Sequence, residues 1–538
     1  MTRPTRRQAL LALGGAAAGG MLGAEEAQAF LPGLARLLVP ELFRDLVKPP
    51  SYTPNLVIGS GFGGAITALR LAEAGQRVTI VERGFRWPRD PWRDIFASDT
   101  LPDGRAFWFR KSARMLAGNT AVFDAFGGVV DATVYDTMTA WRAACVGGGS
   151  VVFTGCMIQP ERAYFDALFG GLVAYDELDR IYYPRVRRML NLTPMPADVY
   201  GSQAFGHSRE WDRQVAAAGY RPQASDSIFD WNVVRSEIGL RSRASATAGR
   251  SNHGNANGAK FDLNQNYLKQ AEATGSARIH AGFEVLSIGR EGGRYVVEGQ
   301  LRDPTGRSLG VTTIACDRLF LAAGSIGTAS LLVKAQAEKT LPNLNEHVGA
   351  GWGTNGDVLV LRSLSRVTGI TNGTPSASRI HDASLGLPTT LENWYVPGIP
   401  LNISLIPSLG MVFDQTHRGR FVYQPESKSV TLDWAANGNA DALEVCRRMN
   451  AKIADASRTL PGAGPFFDSV AGLNFTAHPL GGAVIGKATD AYGRVKGYSG
   501  LYVMDGALVP GSTGAVNPSL TISALAERNI EAIVRAAG

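Results

Sequence analysis

The sequence predicts an α/β protein of two interleaved domains, and three observations predict it. Near the N-terminus, "NLVIGSGFGGAITALRLAEAGQRVTIVERG" (55–84) runs from an apolar strand through a glycine-rich turn into an Ala/Leu-rich helix, then into a second strand. Two later stretches, "LFLAAGSIGTASLL" (319–332) and "GLYVMDGALVPGSTGAVNPSLTISALAERNIEAIV" (500–534), repeat the order strand, turn, helix, and would return to complete a sheet begun at residue 55. The 538 residues also exceed what one hydrophobic core keeps absorbing, so a second domain is expected in the intervening chain.

Taken in order, the chain opens with "MTRPTRRQALLALGGAAAGGMLGAEEAQAF". Two adjacent arginines precede a Gly/Ala-rich run, and "AQA" before Phe30 offers the small residues a signal peptidase needs. Residues 1–29 therefore read as a twin-arginine-type signal peptide. The expectation is a protein that folds and loads its cofactor in the cytoplasm and is then exported by the twin-arginine machinery. The apolar run is too short for a membrane anchor. From residue 31, "LPGLARLLVPELFRDLVKPP" places Leu34, Leu38, Leu42 and Leu46 four apart, an amphipathic helix interrupted or restarted at Pro40. Packing against its own domain is the preferred reading and a peripheral membrane contact the alternative.

Composition is that of a globular protein, 45% hydrophobic and 19% charged, and 63 glycines imply many tight turns. The net charge of +7 includes +1 from residues 1–29, where Arg3, Arg6 and Arg7 face Glu25 and Glu26. No basic run is interleaved with aromatics, so nucleic acid is not expected as a partner. Cys145, Cys156, Cys316 and Cys446 show neither metal spacing nor a disulfide framework and read as free thiols; no metal site is expected.

The segment 55–84 carries a dinucleotide fingerprint in its required context. Gly59 makes the tight turn, Gly61 lets the backbone approach a pyrophosphate, and Gly64 allows close helix–strand packing. The helix N-terminus then faces phosphate charge. Glu82 lies 21 residues past Gly61, where a carboxylate accepts from ribose hydroxyls. A cofactor domain assembled from distant segments favours a flavin over a nicotinamide, and a third glycine loop, "CVGGGSVV" (145–152), would bring backbone amides against a flavin ring.

His478, in "NFTAHPLGGAVIG" (474–486), is either a catalytic base or a core histidine with satisfied nitrogens. The surrounding sequence decides. "HPLGGAVIGKATDAYGRVKGYSGLYVMDGALVPGSTGAVNPSLTISALAERN" closely resembles the C-terminal region of the non-covalent, FAD-dependent bacterial cholesterol oxidases, a branch of the glucose-methanol-choline oxidoreductase family. "LFLAAGSIGTASLLVKAQAEKTLPNLNEHVGAGWGTNGDV", "VGGGSVV" and "FDLNQNYL" resemble the same enzymes in the same order, from about residue 50 to the end.

The resemblance implies catalytic roles for His478, for Asn517 as its partner, and for Glu392, in "TTLENWYVPG", as the acid that moves a proton during isomerisation. The bland alternatives are an exposed loop carboxylate for Glu392 and an Asn-Pro turn for Asn517. It implies cofactor contacts from Gly59, Gly61, Phe62, Gly63, Gly64 and Glu82 at the first loop, and from Gly148, Gly149 and Ser150 at the third. Val285, Asp505, Gly506, Asn517 and Ser519 complete the set. The FAD domain is expected to use residues 50–90, 260–350 and 490–538. The substrate domain takes 91–259 and 351–489, with a mainly antiparallel sheet covered by helices. No histidine precedes His207, so covalent flavin attachment is not expected.

The chemistry needs these residue types. Oxidising a secondary alcohol requires a hydride acceptor, the flavin, and a neutral imidazole that takes the hydroxyl proton. The expected function is oxidation of a sterol or steroid 3β-hydroxyl with O2, giving H2O2, and isomerisation of the 5-ene to the 4-en-3-one. The alternatives are a family enzyme for another bulky alcohol, as an oxidase or a dehydrogenase, and an inert flavoprotein that binds an apolar ligand. Phe153 and Cys156 stand where the cholesterol oxidases have Asn and Met, Ala477 where they have Tyr, and Ala515 is an extra residue. These departures touch the pocket more than the cofactor frame.

Overall fold

In the computed structural model, residues 35–98, 102–114, 120–363, 373–395, 405–463 and 474–537 are described. The signal stretch 1–29 and Leu34 lie outside them. Every residue of the strand Val78–Glu82 is buried, as expected where a strand is covered on both faces. It pairs in parallel with Tyr52–Ile58 on one side and Ala277–Ala281 on the other. Tyr52–Ile58 pairs in parallel with Ser308–Leu321, which pairs in parallel with Leu501–Val503. Strands more than 440 residues apart in the chain thus complete one sheet.

Ser308–Leu321 is 14 residues long and does two jobs. Its second half joins the parallel sheet, and its first half pairs antiparallel with Arg294–Arg302, which pairs with Phe283–Glu291. The helices Phe62–Glu73, Tyr267–Ala273 and Ser519–Ala537 pack together beside this sheet. At their junction the fully buried Glu527 carboxylate accepts from Arg70 Nε at 2.8 Å and Nη2 at 2.6 Å, and from the Tyr267 hydroxyl at 2.8 Å.

The second sheet runs Leu460–Ala463, Val358–Ser363, Leu405–Val412, Thr389–Asn393, Ser378–Asp382, Gln223–Ala224, with every pairing antiparallel. The helices Gly206–Ala217 and Ala440–Ser457 cover it, packing Trp211, Met449 and Ile453 against Val360 and Leu391. Side chains alternate across a strand, so Leu391 facing these helices sends its neighbour Glu392 to the opposite face. The chain is therefore a mixed α/β protein of two domains. The hairpin Gly419–Gln424/Ser429–Asp433, from the stretch expected in the substrate domain, packs Phe421 and Leu432 into the core of the first domain.

The stretch before the first strand is short and broken. Residues 35–38 form one helical turn and Pro40–Phe43 a 3-10 turn, since Pro40 has no N–H to continue the helix. Val39 and Leu42 are buried, and Glu41 pairs with Arg93 at 2.7 Å, so this face lies against its own protein. The four cysteines are buried free thiols. Among the described residues no helix is long and apolar enough to cross a membrane.

The Glu527 junction yields a stability prediction. Glu527→Ala leaves the Arg70 guanidinium without its bidentate partner, a loss expected to cost about 3–5 kcal/mol in urea unfolding. Replacing both residues by Met should recover most of it. A single variant within about 0.5 kcal/mol of the parent would show the junction is not needed.

Candidate active site

Three glycine loops meet at one point between the two sheets. Gly59 has φ +98°, and a Cβ there would lie 2.2 Å from the Ala322 carbonyl oxygen. A Cβ on Gly63 would lie 1.8 Å from the Met504 carbonyl oxygen, so only glycine lets the first helix seat against the last strand. Gly148, with φ +53°, stands against Gly61 from the third loop.

A cavity of about 590 Å³ opens from this point. Gly59, Gly61, Phe62 and Gly63 line it, placing the unpaired amides of a helix N-terminus on its wall. Glu82 lines it too. Its Oε2 accepts from Ser60 N at 3.0 Å and Ser60 Oγ at 2.8 Å, and its Oε1 from Gly84 N at 2.9 Å. Oε1 keeps a further lone pair for a hydroxyl in the cavity. Gly148, Gly149, Val285, Asp505, Gly506 and Ser519 are also on the lining. Gly64 and Ser150 stand behind it: Ser150 Oγ donates to Gly147 O at 2.7 Å and accepts from Leu263 N at 3.1 Å, so it shapes the loop.

Asp505 ties the segments together. Its carboxylate accepts from Gly324 N at 2.8 Å, Thr328 Oγ1 at 2.6 Å and Ala507 N at 2.9 Å. Burial pushes it up to about 6 in spite of these bonds.

The residues present fit FAD. The helix N-terminus and the glycine loops suit a diphosphate, and Glu82 suits a ribose. On the same lining Arg83 and Arg142 share one carboxylate, Asp131, at 2.8 Å each. The buried Arg142 Nε has no protein partner and awaits an acceptor.

His478 and Asn517 reach the same cavity from opposite ends of the C-terminal chain. His478 Nδ1 lies 2.8 Å from Asp357 Oδ1. A carboxylate only accepts, so the imidazole carries its proton on Nδ1 and leaves Nε2 as an acceptor. Asp357 Oδ2 accepts from Thr476 Oγ1 at 3.0 Å, Ala477 N at 2.9 Å and His478 N at 3.1 Å. Burial pulls the proton affinity of His478 down, but the charge and hydrogen bond of Asp357, with the more distant Glu392, outweigh it and hold the imidazole above its ordinary value.

Asn517 Nδ2 donates to Glu392 Oε2 at 3.0 Å, while Asn517 Oδ1 and Glu392 Oε1 have no protein partner. Glu392 is fully buried and stands behind Asn517, off the cavity lining. It is therefore no exposed loop carboxylate. Cys156 lies beside it; burial, reinforced by the charge of Glu392, pushes that thiol well up. The remaining departures sit in the same region. Phe153 lines the cavity with its ring edge-on to Phe62 at 5.7 Å, and Ala477 lines it next to His478. Ala515 has φ +58°, held by a loop in which Thr513 Oγ1 and Asn355 Nδ2 both donate to Val516 O.

Sequence reasoning brought His478, Asn517 and Glu392 together and missed Asp357 and Asn355. Both lie in the stretch "GWGTNGDV" that resembled the family, yet 121 residues separate Asp357 from His478 and no spacing rule links them.

Comparison with known proteins agrees with this geometry. The GMC oxidoreductase profile matches residues 419–526 and a FAD-binding-domain profile matches residues 55–87. A cholesterol oxidase of Mycobacterium tuberculosis is 27% identical over 551 aligned positions, covering 88% of this chain and 89% of that protein. A cholesterol oxidase of Acinetobacter baumannii is 25% identical, covering 88% and 93%. Among solved structures, pyridoxine 4-oxidase from Mesorbium loti superposes with a TM-score of 0.59 at 17% identity, covering 89% of this chain and 99% of that one, a likeness of fold. With the cofactor cradle, the shared cavity and the C-terminal histidine and asparagine all in place, the chain is a FAD-binding oxidoreductase that carries a GMC oxidoreductase domain over residues 419–526.

Proposed function

We propose that the protein oxidises the 3β-hydroxyl of a sterol or steroid to the ketone, with O2 as acceptor and H2O2 as product, and isomerises a 5-ene to the 4-en-3-one. The observation that carries this reading is His478, locked by Asp357 with its Nε2 free to accept, in a cavity that also holds the cofactor cradle. Trp141, Phe153, Trp394 and Leu409 give the substrate side of the cavity an apolar wall. Two relatives of 25–27% identity bear the name cholesterol oxidase, which supports the choice of substrate.

Bound FAD supplies the hydride acceptor. The carbinol O–H proton passes to His478 Nε2 as the C–H bond breaks, and the two electrons of that bond leave with the hydride, so a C=O forms. Asn517 Oδ1, unpaired within the protein, can accept a hydrogen bond in the cavity without adding charge. Its Nδ2 contact ties it to Glu392, which stands behind it, and in this reading the carboxylate carries the proton from C4 to C6. Phe153, Cys156 and Ala477 favour a second reading, in which the same machinery oxidises another bulky alcohol.

A screen for peroxide release over sterols, steroids and simple alcohols tests the assignment. With a 5-en-3β-ol the parent should release peroxide and form the conjugated enone. Glu392→Gln should still oxidise but accumulate the unconjugated 5-en-3-one. Refusal of every 5-en-3β-ol, with turnover of another alcohol, would leave the second reading.

The Asp357–His478 pair sets the pH dependence. His478 must be neutral to accept a proton, and its proton affinity is raised, so anaerobic flavin reduction should fall as pH drops through a value above the usual 6.5. Asp357→Asn removes the charge and leaves burial in control. The limb should move below that value, and the rate on the plateau should drop by about a hundredfold. An unmoved limb would separate Asp357 from the base.

We also read residues 1–29 as an export signal, so that the mature protein begins at Phe30. N-terminal sequencing of protein from the medium or periplasm, with and without Lys at Arg6 and Arg7, tests this; unprocessed, cytoplasmic protein would refute it.

A further inference from the structure

One polar group on the cavity wall has no part in this chemistry. Asn252 lines the cavity, is 9% exposed, and among the described residues its Nδ2 has no hydrogen-bond partner. The amide is oriented, because Oδ1 accepts from the Tyr395 hydroxyl at 2.8 Å. Tyr395 is itself fixed, its ring stacked on Trp394 at 5.9 Å, and the Trp394 carbonyl accepts from the buried His207 at 2.6 Å. Beneath the amide, Ser251 Oγ donates to Phe153 O at 2.9 Å and Lys260 Nζ donates to Ser251 O at 2.8 Å. The donor is therefore held rigidly on a cavity lining that also carries Trp141, Trp394, Phe153 and Leu409, with Thr154 and His253. None of the hydrogen bonds of the described residues joins Asn252 to His478, Asp357, Asn517 or Glu392.

A buried donor left unpaired is unfavourable, and a rigid one is met by an acceptor on whatever fills the space. We propose that Asn252 is a specificity residue, whose Nδ2 donates to a second oxygen of the substrate, a ketone or hydroxyl distinct from the carbinol that is oxidised. This rests on the reading of the protein as an oxidase of apolar alcohols and narrows it. The substrate class is an apolar alcohol with two polar ends, a 3β-hydroxysteroid oxygenated on its D ring in preference to a sterol with a hydrocarbon tail. A site built to hydrogen-bond an oxygen discriminates against the analogue lacking it, since the amide is then left unpaired.

The test uses the FAD-loaded enzyme and two matched pairs. For turnover, 3β-hydroxyandrost-5-en-17-one is compared with androst-5-en-3β-ol. For binding without turnover, androst-5-en-17-one is compared with androst-5-ene by perturbation of the flavin absorbance. The ketone of each pair should be favoured roughly tenfold in KM or Kd, with kcat nearly equal. Asn252→Leu should erase that preference by weakening the ketones alone, and the isosteric Asn252→Asp, which replaces the donor with an acceptor, should erase it too.

Equal affinities in the parent, or an unchanged ratio in both variants, would overturn the proposal. So would loss of FAD or an altered ligand-free flavin spectrum in the variants, since the amide would then serve the cofactor. Ketone binding that depends on Asn252 without steroid turnover would sink the sterol reading and uphold this one. If no steroid binds, 4-acetylbenzyl and 4-ethylbenzyl alcohol form the pair, and equal affinity there overturns the proposal.

Discussion

Four hydrogen bonds converge on one buried carboxylate, Asp357, and the candidate site is arranged around it. Its two oxygens hold Thr476, Ala477 and both the backbone and the ring of His478. Two residues earlier Asn355, with φ +57°, accepts from Thr513 N at 2.9 Å and donates to Val516 O at 2.9 Å. One tight turn, Thr354 to Asp357, therefore sets both His478 and the loop that delivers Asn517. The buried charge is tolerable because every donor aimed at it is fixed by the backbone or by packing. It also fixes the imidazole tautomer, which packing alone would leave open.

Glu392 obeys a different logic. It projects from a strand paired on both sides; among the described residues Asn517 Nδ2 donates to Oε2, the Cys156 thiol lies beside the carboxyl group, and Oε1 has no partner within hydrogen-bond distance. Whereas Asp357 is saturated and can only position, Glu392 has spare capacity next to the cavity. The two carboxylates thus differ in the number of donors around them, and the charge of each raises the proton affinity of the same histidine.

The first domain was legible in the sequence because its signals are local. A glycine turn between an apolar strand and an Ala-rich helix is encoded within thirty residues, and Gly59 and Gly63 occupy positions that a Cβ would block. The late strands Ser308–Leu321 and Leu501–Val503 were visible for the same reason. His478, Asn517 and Glu392 became readable through resemblance, since no spacing links them. Asp357 and Asn252 were not readable. One owes its function to a partner 121 residues away, the other to an amide left unpaired in a cavity, and neither is expressed by any local pattern. Ser150 was expected against the cofactor, but a hydroxyl bonded to Gly147 O and Leu263 N looks the same in sequence as one facing a ligand.

The sheet that carries the cofactor cradle has a consequence for how the protein is made. Its parallel strands come from residues 52–58, 78–82, 277–281, 308–321 and 501–503, and Asn517 follows the last of them. The fingerprint loop emerges early in synthesis, yet Gly63 has no Met504 to seat against until nearly the whole chain has been translated. Pairings of such long range close late, because loop-closure entropy precedes any gain from contact. FAD therefore cannot find a finished site on a growing chain. Cofactor capture becomes the terminal event of folding and can act as its checkpoint, the moment at which two halves of one sheet, made at opposite ends of translation, become a single object.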